Sequence, residues 1–117
     1  METKSAVASL SALALESRLA VFRLLVQAGP EGLPAGELAR RLDILPNSLS
    51  ANLNVLNHAG LATSRRDGRS IIYTANYDTM RQLLAFLMQD CCGGAPEICA
   101  PLALVAGQRC EVEAPSC

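Results

Sequence analysis

The chain has 117 residues, with 10 Lys and Arg against 11 Asp and Glu and a formal net charge of −1, which excludes a multidomain enzyme and a whole-molecule field that gathers polyanions. Half of it is hydrophobic but only 3% is aromatic, and 19 Leu and 18 Ala outnumber 6 Val and 4 Ile, so the expected core is helical. A short chain this apolar is expected to bury part of its surface against a second copy of itself. No apolar run reaches the roughly 18–20 residues of a membrane span, so no membrane partner is expected.

Apolar residues at Val7, Leu10 and Ala14, then at Leu19, Phe22, Leu25 and Val26, recur at helical spacing up to Gly29-Pro30. They predict helices over about 4–15 and 18–28, with Ser17 as a cap between them. After the Gly/Pro-rich stretch from Gly29 to Pro34, Leu38, Ala39 and Leu42 predict a short helix over about 35–42, and the chain turns from Asp43 to Pro46. Pro46 suits the first position of a fourth helix with an inward stripe of Leu49, Leu53 and Leu56, and Gly60 suits its end. Two short helices across a tight turn form a helix-turn-helix.

The period then changes. Leu61 to Arg66 and Arg69 to Ala75 read as two strands joined by Asp67-Gly68, a pair that favours a type I′ hairpin with φ > 0 at both positions. Asp78 is placed to cap a last helix with a broad apolar face of Met80, Leu83, Leu84, Leu87 and Met88. Beyond it Gly93, Gly94, Pro96, Pro101 and Pro115 predict an irregular tail. The expected division is a DNA-binding and dimerisation domain over 1–90 and a cysteine-containing tail over 91–117.

Helix, helix, helix-turn-helix, hairpin and helix is the order of a winged helix-turn-helix: mainly α, with four to five helices and a two-stranded β-hairpin wing. The outward positions of the fourth helix are read as Asn47, Ser48, Ser50, Ala51, Asn52, Asn54 and His58, small or amide side chains suited to base edges and phosphates. Arg65, Arg66 and Arg69 surround the hairpin tip and, less Asp67, give +2 within five residues. Either feature alone also fits a merely solvated surface, and it is their order along the chain that points to double-stranded DNA. His58 reads as a helix-end residue near the negative pole of the dipole, and Tyr73 as a packing residue.

All five cysteines, Cys91, Cys92, Cys99, Cys110 and Cys117, lie in the last 27 residues. The odd count and the absence of a recognisable secretion signal argue for a reducing, cytoplasmic setting. Cys91, Cys92 and Cys99 can be gathered by the Gly-Gly loop between them, and thiolates are soft donors. Trivalent arsenic or antimony makes three bonds and suits three sulfurs, whereas zinc calls for a fourth ligand from Cys110, Cys117 or His58. A thiol redox switch is the rival reading, although a helix C-terminus opposes thiolate formation. A thiol enzyme would need a base or a Cys-x-x-Cys pair; His58 is the sole histidine and that pair is absent.

Residues 50–75, reading SANLNVLNHAGLATSRRDGRSIIYTA, resemble the recognition helix and wing of the ArsR/SmtB metalloregulatory repressors. In that family the pattern is Ser-x-His-Leu-x-x-Leu-x-x-Ala-Gly-Leu, then Arg-x-Gly-Arg and a Tyr. Leu13 to Leu25 resemble the family's second-helix region, so the likeness covers about residues 10–92. It departs at Asn52, where His is frequent, and at Ala51, where a basic or polar residue is frequent. The resemblance implies a homodimer joined through its first and last helices, with two recognition helices in successive major grooves of an inverted repeat. It further implies an arsenite or antimonite effector held by Cys91, Cys92 and Cys99 after the last helix, with no cofactor required.

Overall fold

The Leu/Ala-rich first third folds as α1 (Thr3–Leu13) and α2 (Glu16–Ala28). This computed structural model describes residues 1–89; Cys91, Cys92, Cys99, Cys110, Cys117 and the rest of the expected tail unit lie outside the described residues. Only Ala14 and Leu15 separate the two helices, so Ser17 falls inside the first turn of α2 and does not cap it; Leu15 holds the cap position without a side-chain bond. The junction is closed instead by Arg18, whose Nε donates to the Ala12 carbonyl at 2.7 Å, one of the carbonyls that the end of α1 leaves without an intrahelical partner.

In α1 the buried positions are Ala6, Ser9 and Ala12. The stripe of Val7, Leu10 and Ala14 that marks the helix in the sequence is exposed, Val7 at 58%. Small residues let α1 lie close on its neighbours, and the larger apolar ones then point the other way.

A two-residue strand, β1 (Leu33–Pro34), follows α2, and α3 (Ala35–Leu42) and α4 (Pro46–His58) form the helix-turn-helix. Both of these helices end in the same way. Asp43 and Gly60 take left-handed conformations, φ 53° and 78°; the Ile44 N–H reaches the Ala39 carbonyl, and the Leu61 N–H reaches that of Leu56. These are Schellman turns, which satisfy otherwise orphaned helix-end carbonyls. Val21, Phe22 and Leu25 of α2, Leu38 of α3 and Leu49, Leu53 and Leu56 of α4 make the centre of the core.

The wing is the hairpin of β2 (Ala62–Asp67) and β3 (Ser70–Ala75). Asp67 pairs with Ser70, so the two-residue turn is Gly68-Arg69, one position later than expected. Of these residues Gly68 alone has positive φ, 64°, the sign pattern of a type II′ turn. Asp67 keeps a strand conformation because the pairing runs one residue further. β1 joins the sheet at the other side of β3, giving the order β1-β3-β2. Two residues in a Gly/Pro stretch carry no period, so nothing in the sequence announced this third strand. Pro34 is tolerated because β1 is an edge.

Finally α5 (Tyr77–Met88) is capped by Asn76, whose Oδ1 accepts from the Thr79 N–H, and not by Asp78. The Tyr77 hydroxyl donates to the Val26 carbonyl at 3.0 Å and fastens the start of α5 to α2. Leu83 is buried, whereas Leu84 and Leu87 on the same broad face are exposed.

Two glycines make a measurable contrast. A Cβ on Gly60 would meet only Thr79 Oγ1 at 3.9 Å, so Gly60→Ala carries the left-handed backbone cost alone, about 1 kcal/mol. On Gly32, with φ 73°, a Cβ would run into the Tyr73 carbonyl oxygen, so Gly32→Ala is expected to lose about 3 kcal/mol in urea unfolding. Equal losses in the two variants would contradict the close approach at Gly32.

Candidate nucleic-acid interface

An exposed helix reads DNA only if its inner side holds it still. In α4 the buried arc is Leu49, Asn52, Leu53 and Leu56, wider than the stripe of leucines alone. Asn52 therefore leaves the expected outward set: it lies one turn from both Leu49 and Leu56, on the buried side of α4. Asn47, Ser48, Ser50, Ala51 and Asn54 are exposed as expected. This face has no charged residue between Pro46 and Asn57, so it can offer hydrogen bonds and van der Waals contacts but little electrostatic attraction.

At the start of α4 the cap position, Leu45, makes no side-chain bond and Pro46 has no N–H. The first-turn N–H groups of Asn47 and Ser48 thus point outward at the positive end of the helix, an arrangement suited to a phosphate oxygen. Beside them Leu45 is the most exposed of the large apolar residues among those described, at 73%. Sequence reasoning passed over it as a turn residue. An apolar residue lodged between Ile44 and Pro46, where no core can take it, was the signal, and such a side chain can touch a thymine methyl group.

Arg65, Arg66 and Arg69 all stand on the exposed outer part of the wing, but they are not equivalent. Arg65 donates from Nη2 to the Glu31 carbonyl at 3.0 Å and from Nη1 to Thr74 Oγ1 at 3.4 Å. Arg66 lies opposite Ile71 on the other face of the hairpin, and Arg69 sits in the turn. His58 is exposed at the helix end with Nδ1 2.9 Å from the Asn54 carbonyl, and Tyr73 is half-buried against the core. Both agree with their reading as structural residues.

The helix preceding α4 adds a charge cluster that the sequence reading did not single out. Glu37 accepts from Arg40 Nε at 3.1 Å and from Arg41 Nε at 2.7 Å. The signal was the spacing Glu-x-x-Arg-Arg, which puts one carboxylate within reach of two guanidinium groups on a single helical face. Among the described residues no group of three or more His, Cys, Asp or Glu is placed to hold a metal ion, and no helix is long and apolar enough to cross a membrane.

A helix-turn-helix whose second helix shows a polar face beside an arginine-bearing hairpin defines a DNA-binding regulator of the winged helix-turn-helix class. The family described as a helix-turn-helix domain matches residues 13–65. The transcriptional activator HlyU of Vibrio cholerae is 31% identical over 79% of this chain and 84% of its own. A putative arsenical resistance operon repressor, ArsR, of Halobacterium salinarum is 43% identical over 54% of this chain and 48% of its own. Among solved structures, the homodimeric winged helix-turn-helix DNA-binding domain Mb0332 of Mycobacterium bovis, described as a possible ArsR-family regulator, superposes with a TM-score of 0.60. It is 27% identical and the match covers 68% of this chain and 72% of that one. The chain belongs to the ArsR/SmtB family of transcriptional regulators.

The Glu37 cluster gives a pH test. Hydrogen bonds from Arg40 and then Arg41 hold the Glu37 carboxyl down at about 2, against an ordinary 4.5. Because the folded-state value lies below the unfolded one, its contribution to stability is complete above pH 4.5 and is lost as pH falls toward about 2. The wild type should therefore lose urea resistance between about pH 5 and 3 more steeply than Glu37→Gln. Parallel curves for the two proteins would contradict the cluster.

Proposed function

We propose that the protein is a homodimeric repressor that binds double-stranded operator DNA and is released when trivalent arsenic or antimony binds Cys91, Cys92 and Cys99. The observation that carries the DNA reading is the uncharged polar face of α4 beside a wing that bears three arginines. Asn47, Ser48, Ser50, Ala51 and Asn54 face the major groove, while Arg66 and Arg69 meet the backbone. Of the two relatives named above, one is described as an activator and the other as a putative arsenical resistance operon repressor. The cluster of thiols favours the second as the guide to this chain, because three soft donors suit a three-bonded metalloid.

Dimerisation is supported by the surface that one copy leaves uncovered. Val7 and Leu10 of α1, Leu15 and Leu19 at the α1–α2 junction, and Leu84 and Leu87 of α5 are all exposed large apolar residues. A related DNA-binding domain is described as homodimeric. A two-fold dimer through α1 and α5 would set two α4 helices to face half-sites about 34–36 Å apart. Leu84→Glu and Leu87→Glu should each shift the protein to monomer in sedimentation and remove operator binding with it. If both variants stay dimeric, the seam lies elsewhere.

Release follows from linkage. A metalloid that weakens DNA binding is weakened by DNA to the same extent, typically by about 5- to 150-fold. In a mobility-shift titration on the promoter of its own operon, the metalloid-free protein should bind and arsenite should release it. Cys91→Ser, Cys92→Ser and Cys99→Ser should each remove the response while keeping DNA binding. Failure to bind without metalloid would end the repressor reading. Release by zinc or by hydrogen peroxide, but not by arsenite, would transfer the site to zinc-responsive or redox control.

A further inference from the structure

The wing is attached to the rest of the molecule at two places. Its root is buried through Ala62 and Ala75, and the Asn76 N–H donates to the Leu61 carbonyl at 2.8 Å. The second attachment lies further out. Pairing of Arg65 with Ile72 and of Thr63 with Thr74 puts Arg65, Ile72 and Thr74 on one face of the hairpin. The chain around Gly32 is pressed against that face, since a Cβ there would lie 2.7 Å from Thr74 Oγ1 and 3.0 Å from Ile72 Cγ2. β3 separates β2 from β1 in the sheet. The Arg65 side chain spans it, with one nitrogen on Thr74 of β3 and the other on the Glu31 carbonyl just before β1.

We infer that Arg65 is a positioning residue, which fixes the angle of the wing to the helix-turn-helix by strapping β2 to the α2–α3 connection, while Arg66 and Arg69 are the wing arginines that meet phosphate. The inference rests on the DNA-binding reading above. A two-stranded hairpin twists readily on its own, and a wing that swings must be ordered each time DNA is bound. The planar fork of a guanidinium can hold two acceptors at once, and both acceptors here are uncharged, so two of the five N–H donors of Arg65 are committed within the protein. A phosphate that took the same two donors would have to displace the Glu31 carbonyl and Thr74. Among the described residues Arg66 and Arg69 form no ion pair.

The salt dependence of DNA binding separates the two roles, because removing one phosphate-binding cation lowers the slope of log affinity against log salt by about 0.9. Full-length protein is titrated with a fluorescent duplex covering the promoter of its own operon, at NaCl from about 50 to 200 mM. Arg66→Ala and Arg69→Ala should each flatten the slope by about 0.9 per wing. Arg65→Ala should weaken binding about tenfold at every salt concentration with the slope unchanged. Arg65→Lys keeps the charge but loses the fork, and should bind no better than Arg65→Ala. Thr74→Val, which leaves the arginine in place, should weaken binding in the same direction by a smaller factor.

Three results would overturn the assignment. One is an Arg65→Ala slope flattened as much as that of Arg66→Ala. Another is wild-type affinity in Arg65→Lys. The third is an Arg65→Ala protein with a lowered melting temperature but unchanged affinity while folded, which would make the strap structural only. Should Arg65→Ala fail to fold, Thr74→Val with wild-type affinity overturns it equally. A wild-type protein that binds no duplex removes the DNA-binding reading itself, an outcome distinct from all of these.

Discussion

The seating of α4 governs everything that the molecule shows to solvent. Leu49, Asn52, Leu53 and Leu56 bury one arc of that helix against α2 and α3, and the opposite arc is thereby committed outward. Left-handed turns at Asp43 and Gly60 end α3 and α4 without leaving their last carbonyls unsatisfied, so the chain leaves each helix in a fixed direction. The first of these turns sets the angle between the two helices. The second sends the chain into β2 and places the wing beside the outer arc of α4. One packed arc and two tight exits thus position both halves of the interface.

On that scaffold, charge and shape are divided between elements. The exposed arc of α4 carries amides and hydroxyls and no charge before His58, whereas the arginines lie on the wing and on α3. Glu37 neutralises part of the α3 pair, and hydrogen bonds from Arg40 and Arg41 hold its carboxyl below its ordinary value. A protein of net charge −1 gains little from long-range attraction to DNA. In the proposed reading, discrimination would come from short-range contacts of the α4 face, with the wing as a local anchor.

The helical part of the fold was legible because the pattern that drives it is local. Leu49, Leu53 and Leu56 are buried as their spacing implies, α3 spans the expected 35–42, and Pro46 opens α4. What escaped was set in part by partners distant in sequence and in part by where the sheet pairing stops. β1 exists only because β3 lies beside it; Asn52 is buried because the arc of α4 that packs inward is wider than its leucines; the hairpin turn moved by one residue because pairing extends to Asp67 and Ser70. Asn76 took the cap expected of Asp78 because the helix starts where the sheet releases the chain. At the candidate site the residue types were legible along the chain, and the structure changed their standing. Arg65 reads as one of three equal charges in the sequence, yet its fork is held by residues 34 positions before it and nine after it.

α1 inverts the usual arrangement of an amphipathic helix, and the inversion has a physical reading. Its buried side is Ala6, Ser9 and Ala12, and its larger Val7 and Leu10 are left in water. Burying small residues brings helices close but gains little from the hydrophobic effect, so the apolar content of α1 is not used by the single copy. α5 repeats the pattern, with Leu83 inside and Leu84 and Leu87 outside. Both helices are therefore shaped for a second layer of packing, which the proposed two-fold partner would supply. α5 is held at its start by Asn76 and by the bond from Tyr77 to Val26, and Cys91 follows three residues after its end at Met88. Under the proposed function, a ligand that gathered the cysteines would pull on the end of α5 opposite to the one tied to the core. The strain would then fall on the seam before it reached α4, and would change the relative setting of the two α4 helices that two half-sites would read.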